Sequence, residues 1–549
     1  MGSPLSLIDV LLLWLMACVL FLQLHLQFIQ KINWDEFFYL SHIYDAQAGR
    51  LDKTLQMAHV YLFRWLILIP GGEMVQITVG RVMMWVVQLG TLVFIIKIAR
   101  NFMSQTAAIF SALCFICIGY VFIHGTSFRA DPLAALCMVY AVYIFSVSQL
   151  QNRDLLGLAF SLALGVLITI KVVLYAPLFL CLVFWRLKKA TFPKKLFFRF
   201  VSTAILSALI FVVAYVMHSM RIVELPTSSD ISSISNSFQT MFFSDGLFPR
   251  LKYMKIGFMT AVLPSLLISV GFIILIWRLL NISKYKNSHP VLLVFLLPLL
   301  AFIFYRNAYP YFFSFILPTG IIFAGYAVHH IKFSKTIMGG LAVLMSLNML
   351  LIYQNQIKRG QETQRETLEV IHQAFPEPVS YFDRSGMISS FPKAGFFMSS
   401  WGVRNYNKSG ERRFIREMEK KTIPLLIENS PAIAAALKGE PSSLFEEDAK
   451  ALRENYIPHW GHIWVAGKKL TTDKIPINFS ILVPGDYTLK TRSPIFIDGK
   501  SYKNGSIIYF DRGKYDIESH VKQDVVLRWG QHLKRPDYDS INKPIFGAF

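Results

Sequence analysis

The sequence predicts a polytopic α-helical membrane protein carrying a soluble C-terminal region. Composition gives the first reason: 549 residues are 54% hydrophobic and only 16% charged, with mean hydropathy +0.45, whereas soluble domains are about 25% charged. Distribution gives the second. Up to residue 357 the apolar residues fall in runs near the ~20 needed to span a bilayer, and beyond 358 the composition becomes that of a soluble protein. The net charge of +21 does not indicate nucleic acid, because the basic residues lie in short loops between apolar runs or are scattered through the last third. Membrane lipids are the partner this pattern suits.

In chain order, residues 6–28 form the first expected span, read as a retained anchor because neither a basic leading segment nor a small-residue cleavage site accompanies it. Immediately after it, Lys31-Ile-Asn-Trp-Asp-Glu-Phe-Phe-Tyr39 places two adjacent carboxylates just outside the membrane. Residues 36–48 and 51–69 read as two amphipathic helices lying in the interface, within an outer loop of 31–75. Further spans are expected at 76–96, 104–124, 131–148, 155–171, 174–187, 197–217, 256–277, 290–305, 309–328 and 336–353, about eleven in all. One set of loops holds Lys97, Arg100, Arg153, Arg186, Lys188, Lys189, Lys194, Lys195, Arg278, Lys284, Lys286, Lys332 and Lys335, with Asp154 the only acid. By the positive-inside rule this set and the N-terminus are cytoplasmic. Asp35, Arg129-Ala-Asp131, the 218–255 loop, Arg306 and the C-terminal region are then outside, as they would be at a bacterial inner membrane with a periplasmic domain.

All five cysteines sit in apolar segments, as packed side chains do, so the hydrophilic part folds without disulfides. That part reads as an α/β unit (358–455) followed by a β-rich, sandwich-like module (456–549). Glu362–Phe375 and 431–455 are expected helices. The strands after 456 are punctuated by Pro-Gly-Asp, Asp-Gly, Asn-Gly and Arg-Gly turns.

The polar residues at the expected outer surface admit two readings each. Asp35 and Glu36 are acids in a first helical turn behind Asn33, which suits capping, and equally a carboxylate pair from which a general base could come. Asp131 before Pro132 suits a helix opening with Asp as N-cap, or chemistry. Lys171 inside an apolar segment either snorkels or is functional. Arg306 is an interfacial anchor or a phosphate clamp, for which a guanidinium fork is suited. His59 and Arg64, on an interfacial helix, face headgroups or substrate. Trp401, Trp460 and Trp464 are packing residues or a glycan-binding surface, and Asp383 in Tyr-Phe-Asp-Arg-Ser-Gly is a turn residue before a catalytic one. Taken together, two acids, an Arg-x-Asp, a lysine and an arginine fall at one level on different spans.

In this arrangement the chain resembles the GT-C membrane glycosyltransferases, particularly the branch of protein O-mannosyltransferases and lipid A aminoarabinose transferases. Asp35-Glu36 with Tyr39 resembles the acidic motif of the first outer loop, and Val79-Gly-Arg81 the arginine that opens the second span. Phe128-Arg-Ala-Asp-Pro-Leu-Ala-Ala135 is similar to the family's Arg-x-Asp-Pro-type motif, and Gly165-Val-Leu-Ile-Thr-Ile-Lys171 to its Thr-Lys-type segment. Arg306…Tyr309…Tyr311…Pro318 resembles its late basic and aromatic motif. In place of the family's Lys-Pro-Pro element stands His59-Val-Tyr-Leu-Phe-Arg64. The resemblance implies an inverting transfer of a monosaccharide from a polyprenyl-phosphate donor to a lipid-linked or cell-envelope glycan acceptor. It implies Asp35, Glu36 and Asp131 as catalytic candidates, Lys171, Arg306, Arg129 and Arg81 as donor-phosphate ligands, and Tyr39, His59, Arg64 and Tyr309 as substrate contacts. No Asp-x-Asp pair is present in the membrane part. A divalent metal shared by Asp35 and Asp131 is admissible chemically but not expected to be obligatory. A flippase for lipid-linked sugars would instead need ionisable residues near mid-membrane and related halves, and a membrane-anchored glycan-binding assembly protein would not need a polar set spread over distant spans.

Overall fold

The computed structural model describes residues 5–51, 58–222, 241, 245–281, 289–541 and 543–547. Among the described residues seven helices are long and apolar enough to cross a membrane: Leu7–Ile29, Gly72–Ala99, Ile170–Lys189, Pro193–Ser219, Val262–Leu280, Phe312–Ile331 and the run opening at Lys335. Shorter apolar helices, Gln105–Ile116, Ala130–Ser146 and Pro290–Phe304, pack among them. The chain is an integral membrane protein, and the expected count of eleven spans is not reached by these criteria.

Several expected continuous spans are broken, each for a local reason. The 104–124 segment divides at Cys117–Ile118, ahead of Gly119, where an added Cβ would lie 2.9 Å from the Thr260 side chain. The 155–171 span ends at Ile168 because Thr169 turns extended (φ −162°, ψ 137°) and its hydroxyl accepts from the Lys171 N–H. Lys171 therefore stands in a 3₁₀ turn, Ile170–Tyr175, rather than on an α-helix. Pro290 and Pro298 accompany a 3₁₀ stretch over Pro290–Leu300, consistent with proline's missing donor. Of the interfacial helix expected over 51–69, the described residues hold Ala58–Leu62 and a 3₁₀ turn, Arg64–Leu68. Residues 52–57, most of the 218–255 loop before 245, and Lys284 and Lys286 lie outside the described residues.

The described residues of the soluble region form twelve strands: β1 (Tyr381–Phe382), β2 (Lys393–Ala394), β3 (Leu425–Ile427), β4 (Tyr456–Trp460), β5 (Ile463–Thr472), β6 (Ile477–Ile481), β7 (Gly485–Lys490), β8 (Ile495–Ile497), β9 (Lys500–Tyr502), β10 (Ile507–Phe510), β11 (Gly513–Glu518) and β12 (Gln523–Trp529). One sheet runs β10-β7-β12-β5-β3-β1-β2, with β4 also on β5; the second runs β6-β11-β8-β9. The first three strands pair in parallel and β5 joins them antiparallel, so a single sheet continues through the boundary expected at 455/456. Alternation builds the sandwich: Ile508 and Phe510 of β10 point inward while Ile507 and Tyr509 face out, the period-two pattern of a half-buried strand. Phe479, Ile481, Ile495, Ile497 and Ile517 of one sheet meet Tyr487, Leu489, Val525 and Leu527 of the other. The expected helix at 431–455 is two, Pro431–Lys438 and Glu446–Asn455, divided where Gly439 adopts φ +74°.

Membrane and soluble parts share a hydrophobic core. Ile32, Phe37, Leu40 and Phe63 of the 31–75 loop cluster with Leu368, Tyr381, Ile388, Ile463 and Phe546. Polar bonds reinforce the junction: Gln364 exchanges two hydrogen bonds with the Ile32 backbone (2.9 and 2.8 Å), Lys31 Nζ donates to the Pro544 carbonyl (2.8 Å), and Phe38 stacks on Phe397.

Candidate active site

The acidic stretch opens the helix Trp34–Gln47. Asn33 caps it, its side chain accepting from the Asp35 N–H (3.0 Å) while its own N–H donates to Glu36 Oε2 (2.9 Å). The capping reading therefore holds for the pair, and it separates the two acids. Glu36 is fully buried, receiving Arg81 Nε (2.7 Å), Arg81 Nη2 (2.6 Å) and the Phe128 N–H (2.8 Å). Burial pushes its carboxyl up, but the Arg81 charge and these bonds outweigh that and hold it below the usual carboxylate range. Arg81 places its other donors on the carbonyls of Gln27 (3.3 Å), Gln30 (3.0 Å) and Lys31 (3.2 Å). All five of its N–H groups are engaged. The Arg81–Glu36 pair thus braces the end of the first helix and the acidic loop, where Arg81, expected as a phosphate ligand, places its donors.

Asp35 faces the other way. Its side chain is 16% exposed and ion-pairs with Arg129 Nη1. Arg129 also lies 3.6 Å from Asp131 through Nε, and its guanidinium stacks over the Tyr311 ring at 3.6 Å. Asp131, 1% exposed, receives Lys171 Nζ at 2.7 Å, and that ammonium stands 4.9 Å from the same ring. Asp131 is not the N-cap expected from its place before Pro132. Arg129 holds the cap position and Asp131 lies within the first turn, its side chain spent on the two cations. Tyr39 lies close enough to feel the charges of Arg129, Asp35 and Asp131, and its burial raises the phenol so that it stays protonated. Four separate elements, Trp34–Gln47, Ala130–Ser146, Ile170–Tyr175 and the segment before Phe312, meet here.

A second basic group adjoins it through the aromatic rings. Tyr311 stacks with Tyr309 at 6.0 Å, Tyr309 lies under the Arg250 guanidinium at 4.8 Å, and both Arg250 and Arg306 pair with Asp245 (3.3 and 3.1 Å). Arg306 is buried, and its Nη1 has no hydrogen-bond partner among the described residues. Arg64 is placed elsewhere: it pairs with Gln47 and borders a small recess with Tyr61 and Arg221. The His59 side chain lies outside the described residues. Between Asp35 and Asp131, where a shared cation was admissible, stands the Arg129 guanidinium. Among the described residues no three His, Cys, Asp or Glu side chains converge as a metal site.

The soluble domain adds Arg384, whose guanidinium lies over the Trp34 ring at 3.8 Å and attracts Asp35. Sequence reading stopped one residue short of it, at Asp383. That aspartate is indeed a turn residue, accepting from the Gly386 and Met387 N–H groups (2.8 and 2.9 Å). Trp460 and Trp464 are packing residues too, donating to the Tyr538 carbonyl and Glu428.

No family model and no curated protein matches the sequence. Solved structures match the fold. ArnT from Cupriavidus metallidurans bound to undecaprenyl phosphate superposes with a TM-score of 0.53 at 13% identity, over 78% of this chain and 94% of that one. Its apo state gives 0.52 over the same shares. The Archaeoglobus fulgidus oligosaccharyltransferase in complex with Zn and sulfate gives 0.50 at 12% identity, over 90% of this chain and 74% of that one. The chain has the GT-C fold. In this chain the charged cluster sits where the 31–75 loop, two broken spans and the soluble domain meet. The broken spans are what allow it: a helix that stops at Ile168 lets Lys171 leave the bundle wall and reach Asp131.

Proposed function

We propose that the protein is an inverting glycosyltransferase that moves a monosaccharide from a polyprenyl-phosphate donor to a hydroxyl or phosphate of a lipid-linked or cell-envelope glycan, at the outer face of a bacterial inner membrane. One observation carries this reading. Of the three carboxylates in the cluster only Asp35 is open, with Glu36 at 0% and Asp131 at 1% exposure against its 16%, and it stands beside cations suited to a phosphate.

Asp35 takes the proton of the acceptor hydroxyl as its oxygen attacks the anomeric carbon, and the bond from that carbon to the donor phosphate oxygen breaks. The polyprenyl phosphate leaves with the electron pair, and Lys171, Arg129 and Arg306 stabilise its growing charge. Asp131 holds Lys171 and Arg129 in register and does not meet the acceptor. Arg129 bridges Asp35 and the phosphate site, so donor binding draws it toward phosphate and frees Asp35 as a base. Tyr39 and Tyr309 line the sugar's path, and Glu36 with Arg81 keeps the loop in place. Undecaprenyl phosphate in the matching ArnT structure supports the donor class.

The test is transfer of radiolabelled sugar from a panel of polyprenyl-phosphate sugars to envelope lipids and glycans, by purified protein and by Asp35→Asn. Transfer by the parent and a loss of about 10²–10⁴-fold in an equally stable variant is the expected result. Equal transfer by both removes Asp35 from the mechanism.

A further inference from the structure

A second cleft lies on the soluble domain, on the face of the large sheet turned away from the sandwich core. It encloses about 480 Å³ and is bordered by Lys469 of β5, Lys490 of β7, Arg528 of β12, and His459, His532 and Arg535. No carboxylate borders it. The register explains the convergence. Val526 pairs with Lys469 on one side and Lys490 on the other, and Arg528 pairs with Thr488 in the next row of the same face. Residues opposite one another on adjacent strands share a face, so three basic side chains and a hydroxyl rise together. Lys469 and Lys490, two strand spacings apart, stand roughly 10 Å from one another. At that spacing the two ammoniums can each meet a different anionic group of one ligand, with Arg528 on the strand between them.

Arg528 is held in place: its Nη1 donates to the Pro458 carbonyl (3.1 Å) and reaches His459 Nδ1 (3.2 Å), while the other His459 nitrogen meets the Lys534 carbonyl (3.0 Å). Burial, with Arg528 and Arg535 nearby, keeps the His459 imidazole neutral by lowering its pKa. Lys469, Lys490 and Arg535 stay exposed, and none of the three has an ion pair among the described residues. A fixed arginine between two reaching lysines is a receptor for spaced negative charge.

We infer that this cleft binds a saccharide bearing at least two phosphate or carboxylate groups, at a site separate from the transfer chemistry. That the ligand is a saccharide rests on the proposed transferase reading; that it is a spaced polyanion does not. The test is calorimetry on the full-length protein in neutral detergent, without any donor, using trigalacturonic acid, inorganic pyrophosphate and, as the uncharged control, maltotriose. Trigalacturonate is expected to bind with an affinity that falls steeply with added salt, maltotriose not to bind, and Lys469→Gln/Lys490→Gln to weaken trigalacturonate at least tenfold with unchanged melting temperature. Arg535→Gln, on a different segment, should weaken it too. Equal binding of maltotriose, or trigalacturonate affinity untouched by both variants, overturns the inference. Pyrophosphate binding without trigalacturonate leaves a phosphate site and overturns the saccharide. Because no donor is present, none of these results depends on whether transfer occurs.

Discussion

Arg129 is shared by Asp35, Asp131 and the face of Tyr311, so a change on any of these is felt by the others. Replacing Lys171 by Gln strips Asp131 of its 2.7 Å partner, and Arg129 should then swing toward Asp131 and away from donor phosphate. The expected outcome is a fall in transfer of at least about 100-fold with most of the loss in kcat, measured by steady-state kinetics with polyprenyl-phosphate sugar. Glu36→Gln acts on stability instead. Removing one partner of a buried pair costs about 3–5 kcal/mol, to be read as a lowered melting temperature in detergent. Because the folded Glu36 pKa is depressed below its ordinary 4.5, its contribution is fully present above that value and is lost as pH falls through the folded pKa. Melting temperature should therefore drop on acidification below about pH 4.5 in the parent and drop less steeply in Glu36→Gln. The sequence showed that two acids stood together, but which was buried depends on Arg81, 45 residues away, and no local pattern carries that pairing. Arg384 was less legible still, since only tertiary contact brings it to Trp34.

Helix breaks matter more to this site than helix lengths do. Hydropathy located nearly every apolar segment because burial in lipid demands it, but it could not show where a segment turns into 3₁₀ or extended backbone. Those turns depend on single residues such as Thr169 and Pro298. Close helix packing is equally silent in a hydropathy plot. At Gly271 an added Cβ would lie 2.0 Å from the Phe323 carbonyl oxygen, so Val262–Leu280 and Ile322–Ile331 approach as small residues permit in membranes. Gly271→Ala should force the two backbones apart at a cost of about 1–3 kcal/mol, seen as a lower detergent melting temperature, while Gly340, with nothing within 4 Å, should tolerate alanine unchanged.

For the whole molecule, the soluble domain is part of the site's support. Trp34 and Phe37 pack edge-on against Phe546, and Ser389 Oγ donates to the Phe37 carbonyl at 3.2 Å. Phe546→Ala should raise amide hydrogen exchange across residues 31–47 by roughly tenfold or more, and lower transfer in proportion, without changing exchange in the spans; unchanged exchange in that stretch would show that the tail does not support it. The sequence made the soluble region recognisable by composition, yet its boundary at 455/456 was invisible as a continuous sheet, because β3 and β5 pair across it. The loop carrying Asp35 leaves the ribosome long before the residues that grip it, Pro544 and Phe546. Nascent chains stalled before residue 530 should accordingly be cut by trypsin at Lys31, and chains that include Pro544 and Phe546 should resist. The timing of synthesis thus becomes a safeguard: a half-made chain, already in the membrane, lacks the grip that sets its acidic loop.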